Sequence, residues 1–210
     1  MHYEIIDFHT HPFTDNATNI CSHKEYCNMS AENTVPYLKS LGISKICGSV
    51  ICRNGGTYMH GWHDYSCKAF DEILDAAAHY GCVVSFHSLD NDQMDEMVRR
   101  HPHTVFVAAH PGEYKDYMRH LHRMELSPNY HLDLSGTGLF RHGMLRHGID
   151  TYGAERFLFG SDYPTCNPSM FIGGVALDPL LTESEKTLIL SQNARRILKL
   201  LNAAESPPQI

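Results

Sequence analysis

The stretch Tyr3-Glu4-Ile5-Ile6-Asp7-Phe8-His9-Thr10-His11-Pro12 decides how the rest of the chain is read. It is a short apolar run ending in two histidines two residues apart. In an extended strand the side chains at i and i+2 share a face, so His9 and His11 can converge on one metal ion while Ile6 and Phe8 pack away from it. Neutral imidazole suits zinc and, nearly as well, other divalent transition metals. The spacing alone is a weak signal in a chain with 16 histidines. It recurs at His101 and His103 and at His120 and His122. Those pairs fall in predicted helices or their connections, where i and i+2 diverge, and read as surface residues.

Working outward, three more apolar β-like runs end in metal-capable residues. Cys82-Val83-Val84-Ser85-Phe86 leads into His87, Thr104 to Ala109 leads into His110, and Arg156 to Ser161 leads into Asp162. If the strands are parallel, all of these groups gather at the carboxyl edge of the sheet, where barrel and open α/β enzymes place their chemistry.

The intervening segments fit that frame. Strands are expected at about 3–9, 44–51, 82–86, 104–109, 130–135 and 156–161. Helices are expected at about 31–41, 67–80, 91–100, 113–125, 141–152 and 183–201. Ser30 can cap the first helix and Gly42 end it, Gly81 stops the second, Asp90 or Asn91 starts the third, and Thr182 with Glu185 has the spacing of a capping box. Residues 12–29 form a polar loop, and Cys52 to Ser66 is rich in Gly, His and aromatic residues without either period. Alternating strands and helices imply parallel strands with right-handed crossovers, hence an α/β, TIM-like (β/α) barrel. About six strand-helix units are recognisable where a closed barrel has eight in about 250 residues, so the barrel is shortened. A single barrel domain over residues 1–203 is expected, with a disordered tail at 204–210.

Composition bounds the function class. The chain has 210 residues, 42% of them hydrophobic, and a net charge of −7 without a basic block. That disfavours nucleic acid or an anionic membrane as partner and favours a small-molecule substrate. Neither a membrane-length apolar run nor a secretory signal is visible, so a cytoplasmic location is expected. Seven cysteines without a Cys-x-x-Cys pair read as reduced thiols. Cys47 and Cys82 read as small packed residues. Cys21, His23 and Cys27 share one polar loop and could bind a metal together, but their spacing matches no common zinc module, which favours a solvated loop.

With these motifs assembled, the chain resembles the metal-dependent amidohydrolase superfamily, in the amidohydrolase-related (amidohydrolase 2) branch similar to aminocarboxymuconate semialdehyde decarboxylase. The resemblance runs through DFHTHP at 7–12, the strand-end His87, HPGE at 110–113, LFGSDYP at 158–164 and NARRIL at 193–198. It implies that His9, His11, His87 and Asp162 bind one divalent metal, most simply zinc, and that His110 is the acid/base residue. Family members carry two more strand-helix units before the third histidine, where this chain has only Cys52 to Ser66. The missing strands include the one that supplies a bridging carboxylated lysine in binuclear relatives, so a single metal is expected. The same shortening predicts an exposed sheet edge and a possible homodimer.

The residue types suit the chemistry. Three imidazoles and a carboxylate leave a coordination position for water, whose pKa zinc lowers to about 7. A histidine beside it can take or return a proton, and the Asp162 carboxylate can accept a hydrogen bond from the attacking water. The structural alternatives are a core-satisfied His110 and an N-capping Asp162. Asp7 can orient an imidazole or serve as a buried structural carboxylate. Substrate contacts are expected from Arg53, as a bidentate carboxylate clamp or a solvated side chain, and from His60, Trp62, His63 and Tyr163. The leading reading is a hydrolase of a small amide, lactone or ester. A zinc-dependent non-oxidative decarboxylase of an unsaturated or aromatic acid, and a shortened metal-binding relative without catalysis, are the alternatives.

Overall fold

The computed structural model describes residues 3–12, 31–48, 68–87, 90–138 and 141–199. Among the described residues six parallel strands alternate with helices: β1 Ile5–Thr10, α1 Ala31–Ser40, β2 Ile43–Gly48, α2 Lys68–Tyr80, β3 Val83–Phe86, α3 Asn91–Arg100, β4 Val105–Ala108, α4 Tyr114–Leu126, β5 Tyr130–Asp133, α5 Met144–Tyr152 and β6 Phe157–Leu158. The chain closes with α6 Pro168–Ala176, α7 Glu183–Thr187 and α8 Asn193–Ile197. β1 pairs with β2, and β3 to β6 pair in sequential order. The two sheets are joined where the chain continues past β6. Phe8 N–H donates to the Phe159 carbonyl at 2.9 Å, Asp162 N–H to the His9 carbonyl at 2.8 Å and His11 N–H to the Tyr163 carbonyl at 2.7 Å. The resulting order of the described strands, β3-β4-β5-β6-β1-β2, is cyclically sequential, as in a shortened (β/α) barrel.

Local chemistry accounts for the helices. Asp90 caps α3 by accepting from the N–H groups of Asp92 and Gln93, and Thr182 with Glu185 forms the capping box of α7. α6 is absent from the expectation above. Gly173 and Gly174 and its largely apolar composition hide it, whereas Asn167 as N-cap with Pro168 at the first position is the signal that marks it. The single helix expected at 183–201 is interrupted by a π-helical turn, Leu188–Gln192. The carbonyl that Asn193 N–H would use in an α-helix, that of Ile189, is taken by Phe159 N–H at 2.9 Å, and Asn193 reaches back to Leu188 instead.

Most of the core lies between the strands and helices α2 to α5, with Phe86, Phe106, Leu132 and Phe157 meeting Leu74, Met97, Tyr117 and Ile149. A second cluster joins Ile6, Phe8, Val107 and Leu158 to Ala194 and Ile197 of α8, so Ile6 and Phe8 do pack away from the histidine face. Two readings are corrected. His101 and His120 are buried rather than on the surface, because His101 is held by Asp71 at 2.8 Å and Asp75 at 3.0 Å and His120 by Tyr130 at 2.7 Å. Cys82 is exposed, since it precedes β3 instead of lying in it. Arg53, His60, Trp62, His63, the Cys21–His23–Cys27 loop and the tail at 204–210 lie outside the described residues. Among the described residues no helix is long and apolar enough to cross a membrane.

Candidate metal centre

The carboxyl edge of the sheet collects the groups that the strand-end rule selects. β1 is buried along its whole length, and from its end His9 and His11 turn toward Asp162, which follows β6. The ring nitrogens His9 Nε2 and His11 Nε2 lie 3.1 Å apart, and Asp162 Oδ1 lies 3.2 Å from His11 Nε2 and 3.5 Å from His9 Nε2. All three side chains are buried. A tetrahedral ion with bonds of about 2.0–2.1 Å spaces its ligand atoms by about 3.3–3.4 Å, so this triangle has the size that a zinc-like ion requires. Two imidazoles and a carboxylate are also the donor types that such an ion takes.

His9 is aimed by a partner that the strand-end search overlooked. Asp133, the last residue of β5, is fully buried, and its Oδ2 lies 2.8 Å from His9 Nδ1. With the Nδ1 proton donated to Asp133, the lone pair of Nε2 faces His11 and Asp162, the usual arrangement of a metal-binding histidine. Burial opposes a charged His9, but the charge and hydrogen bond of Asp133, together with Asp162 and Asp7, outweigh it and push its pKa up to about 9. Burial likewise works against ionised Asp133. The His9 charge and hydrogen bond prevail, with help from His110 and Ser135, and hold the carboxyl well below the usual carboxylate range.

Asp7 does not orient an imidazole among the described contacts. Its Oδ1 accepts from Ser161 N–H at 2.9 Å and His9 N–H at 3.3 Å, and its Oδ2 accepts from the Ser161 hydroxyl at 2.5 Å. It clamps β1 to the segment after β6.

His110 follows β4, its ring stacked 5.1 Å from that of His9 and meeting that of His87 edge-on at 4.9 Å. His110 and Asp162 both have positive φ, 65° and 57°, which is uncommon for residues with a Cβ and concentrates at functional sites. The neighbours enforce it. Asp162 N–H is tied to the His9 carbonyl. The His110 backbone is hydrogen-bonded by the ring of buried His120, and His120 is itself fixed by Tyr130 and Arg123. Gly136, with φ 65°, closes over the His110 ring, where a Cβ would lie 2.3 Å from Nδ1.

The expected residues therefore separate into three groups. His9, His11 and Asp162 converge, and His110 stacks beside them. His87 abuts His110 and is not part of the triangle formed by the described atoms. Tyr163 follows Asp162, with its ring 5.7 Å from Tyr37. Asp133 and Ser135 were missed, although Tyr130-His131-Leu132-Asp133 obeys the same rule of an apolar strand ending in a polar group.

A parallel barrel with buried histidines and carboxylates at its carboxyl edge defines the class of metal-dependent barrel enzymes. The amidohydrolase family model matches residues 53–200, and the chain belongs to that family, in its amidohydrolase 2 branch. Comparison with the curated proteins finds no match. Solved structures share the fold. An amidohydrolase 2 from Bifidobacterium longum subsp. infantis aligns with a TM-score of 0.68 at 13% identity, over 94% of this chain and 99% of that one. An amidohydrolase from Burkholderia multivorans with bound zinc aligns at 0.63 and 15%, over 94% and 99%. A 5-carboxyvanillate decarboxylase from Sphingomonas paucimobilis aligns at 0.66 and 12%, over 95% and 100%.

Proposed function

We propose that this chain is a single-metal hydrolase acting on a small amide, lactone or ester. The observation that carries the reading is the His9–His11–Asp162 triangle with His110 stacked against it. His9, His11 and Asp162 hold the ion, His87 completes the set from β3, and the zinc seen in the Burkholderia neighbour supports zinc as that ion. When bound, zinc supplies Lewis acidity and lowers the pKa of water to about 7. The chain's own residues do the rest. Asp133 keeps His9 in the ligating tautomer, Asp162 accepts a hydrogen bond from the attacking water, and His110 moves a proton to or from the substrate. Arg53, His60, Trp62, His63 and Tyr163 bind the substrate, and the reduced thiols fit a cytoplasmic protein. A homodimer would cover the shortened edge.

Elemental analysis of the purified protein beside the double variant His9→Ala/His11→Ala tests the reading. About one metal per chain, lost in the variant, is expected. No metal in either protein after incubation with zinc overturns it. The second reading is decarboxylation of an unsaturated or aromatic acid, the kind of activity for which the Sphingomonas neighbour is named. It requires Arg53→Ala to abolish turnover of a carboxylate substrate. Bound metal with no turnover across amides, lactones, esters and carboxylic acids would instead point to a metal-binding relative without catalysis.

A further inference from the structure

We infer that the Asp133–Ser135 pair at the end of β5 sets the tautomer of His110, placing its proton on Nδ1 and leaving Nε2 as the working base. This deepens the proposed function and rests on His110 being the acid/base residue.

Asp133 is fully buried and receives donors on both oxygens. Oδ2 faces His9 Nδ1 at 2.8 Å, and Oδ1 accepts from Ser135 N–H at 2.9 Å and from His110 N–H at 3.4 Å. A carboxyl group surrounded by donors in this way is an ionised acceptor. Ser135 Oγ, also fully buried, lies 2.5 Å from the same Oδ1. Two oxygens at that separation need a proton between them, and only the serine has one to give.

The Ser135 hydroxyl proton is therefore committed to Asp133. Ser135 Oγ is left with lone pairs alone, and His110 Nδ1 lies 3.0 Å from it. That contact is a hydrogen bond only if Nδ1 carries a proton that it donates to Oγ. The second neighbour, His9 Nδ1 at 3.3 Å, has a closer acceptor in Asp133 Oδ2 and does not alter the assignment. Neutral imidazole carries one proton, so His110 Nε2 is the free base. One carboxylate thus orients two imidazoles, His9 directly through Oδ2 and His110 through Ser135.

Ser135 and Asp133 are positioning residues, and the tautomer is measurable without a substrate. Long-range 1H–15N correlation spectra of 15N-labelled full-length protein at pH 8, zinc-loaded and chelator-treated, show which ring nitrogen of each histidine is protonated. The His110 signals are those lost in His110→Gln. Wild type is expected to show His110 protonated at Nδ1. Ser135→Ala should transfer most of that population to Nε2, and Ser135→Thr, which keeps the hydroxyl, should restore it. A proton on Nε2 in wild type, or an unchanged pattern in Ser135→Ala, overturns the assignment. If Ser135→Ala does not fold, the wild-type spectrum decides by itself. Zinc content of the same samples separates the two claims, because absence of zinc with the Nδ1–H tautomer intact refutes the hydrolase reading while supporting this one.

Discussion

Asp7 in the middle of β1 and Asp133 at the end of β5 are both fully buried, two residues ahead of a polar side chain of the site, and yet they behave oppositely. Asp7 accepts only uncharged donors, the Ser161 N–H and hydroxyl and the His9 N–H, so burial prevails and pushes its pKa up to about 7. Asp133 experiences the same burial but faces the His9 ring, and its carboxyl is held well below the usual range. Burial does not assign a carboxylate its role; the charge and hydrogen bonds of its partner do. Asp7 holds β1 to the segment after β6, and Asp133 aims imidazoles.

The largest test of that contrast is Asp133→Asn. Loss of the carboxylate behind a ligating histidine costs about 10–100-fold in metal affinity, so zinc held against a competing chelator should weaken by that factor. Wild-type affinity in the variant would break the comparison. Zinc removal probes the same difference through stability. A site saturated at 100 times its Kd stabilises the fold by about 2.7 kcal/mol, so a chelator should lower the thermal midpoint of wild type and of Asp7→Asn by equal amounts, and that of Asp133→Asn by less. Unequal shifts in the first pair would mean that Asp7 also serves the metal. Asp7→Asn itself should cost about 1 kcal/mol in chemical denaturation, the worth of a buried hydrogen bond to Ser161, with zinc affinity within about twofold of wild type.

The contrast also explains what the sequence reveals. Strand ends are legible because apolar runs terminate at His9, His87, His110 and Asp162, and the parallel order follows from the helices between them. Asp133 and Ser135 end a run of the same kind, Tyr130 to Asp133, but their value lies in pairing with residues more than 120 positions away. No local period encodes that separation. His120 shows the same limit, since the i and i+2 argument places it on a helix without indicating that this side faces the core, where Tyr130 and Arg123 engage it. α6 and the π-helical turn escape for different reasons. The first hides behind its glycines, and the second arises only because β6 continues far enough to take the carbonyl of Ile189.

His131 supplies the smallest test. It lies two residues before Asp133 on the same strand and is also buried, but the charged groups around it are Arg156 and Arg196. Burial and like charge act in the same direction and lower its pKa to about 4. The unfolded chain, with histidine near 6.5, therefore binds more protons than the folded one between about pH 4 and 6.5. Stability from neutral His131 is present above that window and is lost as pH falls through it. Between pH 7 and pH 6 the loss is about 0.7 kcal/mol. His120, lowered by burial and Arg123 to about 3, titrates with the same sign, while Asp7 and His9, raised to about 7 and about 9, add stability as pH falls over the same range. The contribution of His131 is therefore read as a difference: between pH 7 and pH 6 in urea denaturation, the change in stability of His131→Gln should be less unfavourable than that of wild type by about 0.7 kcal/mol. If the variant follows the wild-type slope, His131 titrates alike in the folded and unfolded chain, and the claim that neighbours rather than burial divide Asp7 from Asp133 loses its independent support.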